Sequence, residues 1–233
     1  MTTIAANIQQ VHDRMAQACA RAHRPVESVT LLTVSKTYSA DAVREAVAAG
    51  ERRFGENYVQ EGVDKIGALI DLRGDLEWHL IGPLQSNKTR VVASQFDWVH
   101  TLDRLKIAER LSSQRPPELP PLQVCLQVNT SGEANKSGIH PAELNSLAHA
   151  VAALPGLRLR GLMAIPEPTD DPAAQRSAHR ALRELFDRLR AGGLDLDTLS
   201  MGMTADLEAA ILEGATMVRV GSAIFGARPK ARA

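Results

Sequence analysis

The chain has 233 residues, 44% of them apolar and 23% charged, with 27 basic and 27 acidic side chains and a formal net charge of zero. That composition supports one sizeable core rather than disorder, and the charge balance argues against non-specific nucleic-acid binding, which needs a positive surface to displace counterions. Cys19 and Cys125 lie far apart and form no CxxC pair, which argues against a disulfide framework or a zinc site.

No window approaches the ~20 apolar residues of a membrane span, and the polar N-terminus does not read as a signal peptide. The expectation is a cytoplasmic protein with no membrane partner. In chain order, Ile8, Val11, Met15 and Cys19 form one stripe of a helix from about Ile4 to Ala20. Val29 to Lys36 is an apolar, β-branched run, a buried strand that ends in a lysine. Ser39 opens the next helix and Gly50 stops it. Further strands end near Asn57, Gly82, Thr101, Asn129, Pro166, Gly202 and Gly221. Ser86 opens a helix through Val92, and Pro141 occupies the first turn of one over Ala142 to Ala153. The longest helix runs from about Pro172 to Arg190, before Gly192-Gly193. About eight strand–helix units in this length predict a single α/β domain over residues 1–233, a (β/α)8 TIM barrel with an extra N-terminal helix. A doubly wound open sheet is the competing arrangement.

Barrels gather their functional groups at the C-terminal ends of strands. Lys36 ends the first strand, and burial there would lower its pKa and free the amine to attack a carbonyl. The plainer reading is a lysine that snorkels into water. Ser200-Met201-Gly202-Met203-Thr204 ends the seventh strand, and Arg219-Val220-Gly221-Ser222 ends the eighth. Small residues and hydroxyls at these two places can hold a phosphate, or simply make tight turns and an N-cap. An amine and a phosphate site together ask for a ligand with both a carbonyl and a phosphate. Pyridoxal 5′-phosphate fits, and so does a phosphosugar substrate of a Schiff-base aldolase. An inward Arg219 would meet a pyridine nitrogen and keep it unprotonated, weakening the ring as an electron sink; the alternative is an ion pair with an outer-layer carboxylate.

Other polar residues read as structural. His79 has no second histidine at metal-ligand spacing and is expected to be a hydrogen-bonded barrel residue. Asp206 and Glu208 read as cap and decoration of the helix after the seventh strand, and Lys88 and Arg90 as exposed helix charges. Lys136 is either a secondary lysine on the ligand face or a solvated loop charge. No metal site is expected.

Six segments occur in order: Ser35-Lys36, Phe54-Gly55-Glu56-Asn57-Tyr58, His79-Leu80-Ile81-Gly82-Pro83-Leu84-Gln85-Ser86-Asn87-Lys88, Gly161-Leu162-Met163, Ser200-Met201-Gly202-Met203-Thr204-Ala205-Asp206 and Arg219-Val220-Gly221-Ser222-Ala223-Ile224-Phe225-Gly226. Together they resemble the YggS/PROSC family of pyridoxal phosphate homeostasis proteins over nearly the whole chain. The resemblance implies a barrel like the N-terminal domain of alanine racemase, the fold type III arrangement, with Lys36 holding pyridoxal 5′-phosphate as a Schiff base. It also implies Asn57 near the ring, Arg219 toward the ring nitrogen, and Ser200, Thr204, Gly221 and Ser222 around the phosphate, with Met201 among the cofactor-binding residues. Thr204 stands where the family often has serine; the hydroxyl is kept.

Racemisation needs acid–base groups on both faces of the substrate. In fold type III racemases a separate β-domain at a dimer interface supplies one, and this chain ends at Ala233, shortly after the eighth unit. The expectation is a monomeric carrier in cellular vitamin B6 homeostasis that hands its cofactor to apo-enzymes without amino-acid turnover. A racemase-like or decarboxylase-like enzyme is the alternative.

Overall fold

A computed structural model describes residues 3–130 and 137–226. Eight parallel strands close in sequence order, the last pairing with the first, so the open-sheet alternative does not hold. The strands are β1 (Thr30–Val34), β2 (Arg53–Glu56), β3 (Glu77–Leu80), β4 (Trp98–Leu102), β5 (Leu122–Gln127), β6 (Leu157–Met163), β7 (Thr198–Ser200) and β8 (Met217–Val220). The helices that cover them are α2 (Ala40–Ala48), α3 (Val59–Ala68), α4 (Thr89–Gln95), α5 (Leu105–Gln114), α6 (Leu144–Ala152), α7 (Pro172–Ala191), α8 (Leu207–Leu212) and the short α9 (Ser222–Phe225).

The additional N-terminal helix, α1, spans Ile4–Arg21; the Thr3 hydroxyl caps it by accepting the Ala6 N–H. Its stripe of Ile8, Val11, Met15, Ala18 and Cys19 is buried, and the helix packs on α8, α9 and α2. Start signals elsewhere act as expected. Ser39 caps α2, and α7 opens with Pro172 in its first turn and the Asp171 carboxylate accepting the Ala173 N–H. Two helices begin later than their sequences predict. Ser86–Lys88 is a 3₁₀ turn ahead of α4, and the segment after Pro141 becomes helical only at Leu144. Lys88 is half-buried rather than exposed.

Period-two alternation divides the strand side chains. One set, including Phe54, Trp78, Leu80, Val99 and Leu126, joins the helices in the main core. The other fills the barrel. There Leu32, Val34, Ile81 and Met217 form one apolar cluster and Trp98, Cys125 and Met163 another. His79, His100, Ser200 and Arg219 are also buried within the barrel.

Candidate functional site

A cavity of about 280 Å³ opens beyond the C-terminal ends of the strands. Single-ring ligands suit a space near the lower end of small-molecule pockets, roughly 300 Å³. Lys36, half-buried just past β1, lines it with Tyr38 from the same loop and Asn57 after β2. Val34, Ile81 and Ile165 supply apolar wall; Met203, Thr204 and Ala205 come from beyond β7, and Arg219, Gly221 and Ser222 from β8 and its turn. The fold therefore gathers Lys36, Asn57, Thr204, Arg219, Gly221 and Ser222 around one space. Ser200 and Met201 do not line it. Ser200 points into the barrel one layer below the mouth, its hydroxyl between His100 and Arg219. Met201, one residue on, faces the opposite way into the helix-side core, and its N–H donates to the Met217 carbonyl. Lys136 lies outside the described residues.

The loop that presents Lys36 is held from below. Lys65 of α3 is only 5% exposed. Its ammonium donates to the Ser35 carbonyl at 2.6 Å, to Glu56 at 2.8 Å and to Glu61 at 2.7 Å. Ser35 donates its hydroxyl to the same Glu56 oxygen at 2.6 Å, and Glu61 accepts the Thr37 N–H. Burial pushes the Glu56 carboxyl above its ordinary range, with the Lys65 ammonium pulling the other way. Thr37 is β-branched yet sits at φ +69°, a left-handed backbone that costs on the order of 1–3 kcal/mol and persists only when its surroundings enforce it. The Glu61 bond and the Lys65 grip on Ser35 hold it from both sides, and Lys36, between the two ties, lines the mouth.

Asn57 is fixed by close backbone approach. A Cβ on Gly82 would lie 2.0 Å from the Asn57 carbonyl oxygen, so only glycine lets these two loops meet. Gly82→Ala is expected to cost about 1–3 kcal/mol through overpacking, read as a lower denaturant midpoint at unchanged slope.

Across the cavity, the Thr204 and Ser222 hydroxyls lie 3.3 Å apart. A Cβ on Gly221 would come within 2.8 Å of the Val34 carbonyl, so glycine sets the close turn that carries Ser222. The rest of this wall is braced. Arg14 donates to the Thr204 carbonyl at 2.8 Å and pairs with Glu208. Asp206 precedes α8, yet its carboxylate does not cap the helix. It accepts the Met203 N–H at 2.7 Å and His179 Nε2 at 2.9 Å, tying down the loop that holds Thr204. Burial opposes ionisation of Asp206, but these two bonds outweigh it and hold its carboxyl below the usual range. The Tyr38 hydroxyl donates to the Gly226 carbonyl at 2.6 Å while its ring stacks on Phe225, and Asn7 donates to the Ile224 carbonyl.

Among the described residues Arg219 forms no outer-layer ion pair. It is 4% exposed and donates through Nη1 to the Ser200 carbonyl and hydroxyl, at 2.6 and 2.8 Å, and through Nη2 to the Ala164 carbonyl at 2.9 Å. Burial lowers its pKa to about 10, which leaves it a cation at neutral pH. His79 is hydrogen-bonded inside the barrel, as expected, to Glu77 and His100. Among the described residues no three His, Cys, Asp or Glu side chains gather as metal ligands. A larger recess of about 800 Å³ at the opposite mouth is rich in arginines. Arg73 and Arg160 there are engaged by Asp97 and Asp197, and Arg115 by backbone carbonyls, so it reads as a stapled barrel floor.

Several supporting residues carry no sequence signal of their role. Glu61 and Lys65 look like an ordinary i,i+4 surface pair, and His100, His179 and Arg14 sit in no distinctive motif.

A closed barrel with a lysine past its first strand and a hydroxyl-lined turn after its last defines a class. The chain belongs to the family described as alanine racemase, N-terminal domain, whose model matches residues 3–229. Its place within that class follows from whole-length relatives. The chain is 62% identical over 228 residues to the pyridoxal phosphate homeostasis protein of Pseudomonas aeruginosa, covering 98% of this chain and 97% of that one. The corresponding Escherichia coli protein is 57% identical over 229 residues, covering 98% of each chain. It is thus a member of the pyridoxal phosphate homeostasis protein family. PipY of Synechococcus elongatus, solved with pyridoxal phosphate bound, superposes with a TM-score of 0.81 at 39% identity, over 93% of this chain and 100% of that one.

Proposed function

We propose that this protein binds pyridoxal 5′-phosphate in the mouth cavity, holds it covalently on Lys36, and passes it to apo-enzymes without substantial amino-acid turnover. The observation that carries this reading is the arrangement of one cavity: an amine on one wall, two hydroxyls 3.3 Å apart on another, and a buried cation lining the same space. The residues fit the group. Lys36 would attack the aldehyde carbon, with water leaving as the covalent link forms. Thr204 and Ser222 would donate to the phosphate, at the turn where the small residue Gly221 precedes Ser222.

Bound pyridoxal phosphate supplies an electron sink to an attached amine. Arg219 works against that use. A guanidinium that stays protonated can donate to a pyridine nitrogen but cannot protonate it. The acid–base groups for turnover are also poorly provided. Tyr38 spends its hydroxyl on the Gly226 carbonyl, and Tyr58 is 61% exposed and does not line the cavity. The names of the relatives favour homeostasis over catalysis. A cytoplasmic monomer is the form in which we place this activity; no described helix is long and apolar enough to cross a membrane.

A hydrogen bond to a charged group is worth about 1.5–3 kcal/mol. Ser222→Ala should therefore weaken cofactor binding tenfold or more, measured by absorbance titration. The carrier reading is tested by incubating loaded protein with a panel of L-amino acids and, separately, with an apo-enzyme of this cofactor. Recovery of the apo-enzyme's activity without amino-acid product is expected. Sustained product formation at catalytic cofactor levels would overturn it in favour of a racemase-like enzyme.

A further inference from the structure

Arg219 is one end of a hydrogen-bonded chain that runs the depth of the barrel. Its Nη1 donates to Ser200 Oγ at 2.8 Å, and Ser200 Oγ lies 2.8 Å from His100 Nδ1. His100 Nε2 lies 2.9 Å from His79 Nδ1, and His79 Nε2 lies 2.9 Å from Glu77 Oε1, at the start of β3 near the opposite mouth. The chain crosses β8, β7, β4 and β3. Leu32, Val34, Ile81 and Met217 form one apolar cluster of the barrel interior, and Trp98, Cys125 and Met163 the other. A polar path through such surroundings is costly unless every member is satisfied.

The direction of the donors follows from the chemistry. Glu77, half-exposed and beside Arg53, is a carboxylate and only accepts, so His79 carries its proton on Nε2. Burial disfavours a charge on either imidazole. A neutral His79 then has a bare Nδ1, and His100 must donate to it from Nε2. The bare Nδ1 of His100 takes the Ser200 hydroxyl proton. That leaves the Ser200 lone pairs facing Arg219, which also donates to the Ser200 and Ala164 carbonyls. Among the described residues, three of the five guanidinium N–H groups are thus committed to the barrel, and Arg219 also lines the cavity.

We propose that Ser200, His100, His79 and Glu77 are positioning residues: a one-directional hydrogen-bond chain that locks the Arg219 guanidinium in the orientation it presents to the cofactor ring. The inference rests on the reading that pyridoxal phosphate occupies the mouth cavity with its ring nitrogen toward Arg219. It gives Ser200 a role through Arg219 rather than at the phosphate.

Two measurements test it. Nitrogen-15 NMR of the imidazoles in cofactor-free protein at neutral pH should show His79 and His100 both neutral and both protonated on Nε2. A ring protonated on Nδ1, or on both nitrogens, would overturn the chain. In loaded protein, Ser200→Ala should shift the visible absorption band and speed cofactor release roughly threefold to tenfold, the worth of one net hydrogen bond. Borohydride should still fix the cofactor to Lys36, and Ser200→Thr should restore the band. A merely structural serine would lower the melting temperature and leave the band in place, which would sink the proposal. Failure of the wild-type protein to form any coloured adduct would instead refute the cofactor reading, and the imidazole spectra would still decide on the chain.

Discussion

Lys36→Ala is expected to abolish the coloured, borohydride-sensitive adduct and to weaken pyridoxal phosphate binding on the order of a hundredfold, about 2.8 kcal/mol. Thr204, Ser222 and Arg219 remain in the variant, so a non-covalent complex held by its phosphate and ring nitrogen should survive at high cofactor concentration. The substitution removes a half-buried side chain at a cavity wall rather than one packed in the core, so the fold should tolerate it. Absorbance titration of the two proteins side by side measures both effects. Equal affinity with an intact adduct would place the chemistry elsewhere.

The second large effect is on stability. Lys65→Met should cost about 3–5 kcal/mol, because removing one member of a buried ion pair strands its partner. Glu56 would be left fully buried, keeping only the Ser35 hydroxyl of its two donors. Its other carboxylate oxygen already has no partner among the described residues. Chemical denaturation reads the loss as a lower midpoint. Adding Glu56→Gln should recover part of it, since the stranded charge is then gone. The same variant releases the Ser35 carbonyl, one of the two ties on the Thr37 kink, so adduct formation at Lys36 should slow as well. Unchanged stability would show that the cluster is solvated and not the support described here.

The barrel was legible because its evidence is local. Apolar β-branched runs, start signals such as Ser39 and Pro172, and turn glycines recur at even spacing, and each is readable without knowing the fold. Lys36 and the Gly221-Ser222 turn were legible for a related reason: a barrel assigns function to strand ends whatever their partners. The layer beneath was not. Whether Ser200 or Met201 faces inward depends on the phase of a three-residue strand set in a run of small and apolar residues. The partners of Arg219 sit on β7 and in the loop after β6, 19 and 55 residues away. His100 meets Ser200 across 100 residues, a contact that no periodicity encodes. Lys65 shows how a local pattern misleads, since its spacing from Glu61 suits a solvated helix face while the fold turns it under β1 and β2.

The most direct measurement is where the cofactor becomes fixed. The wild-type protein, loaded with pyridoxal phosphate, reduced with borohydride and digested, should yield the pyridoxyl mass on the peptide that bears Lys36. Recovery of that mass on another lysine, or on none, would contradict the assignment of this cavity as the cofactor site.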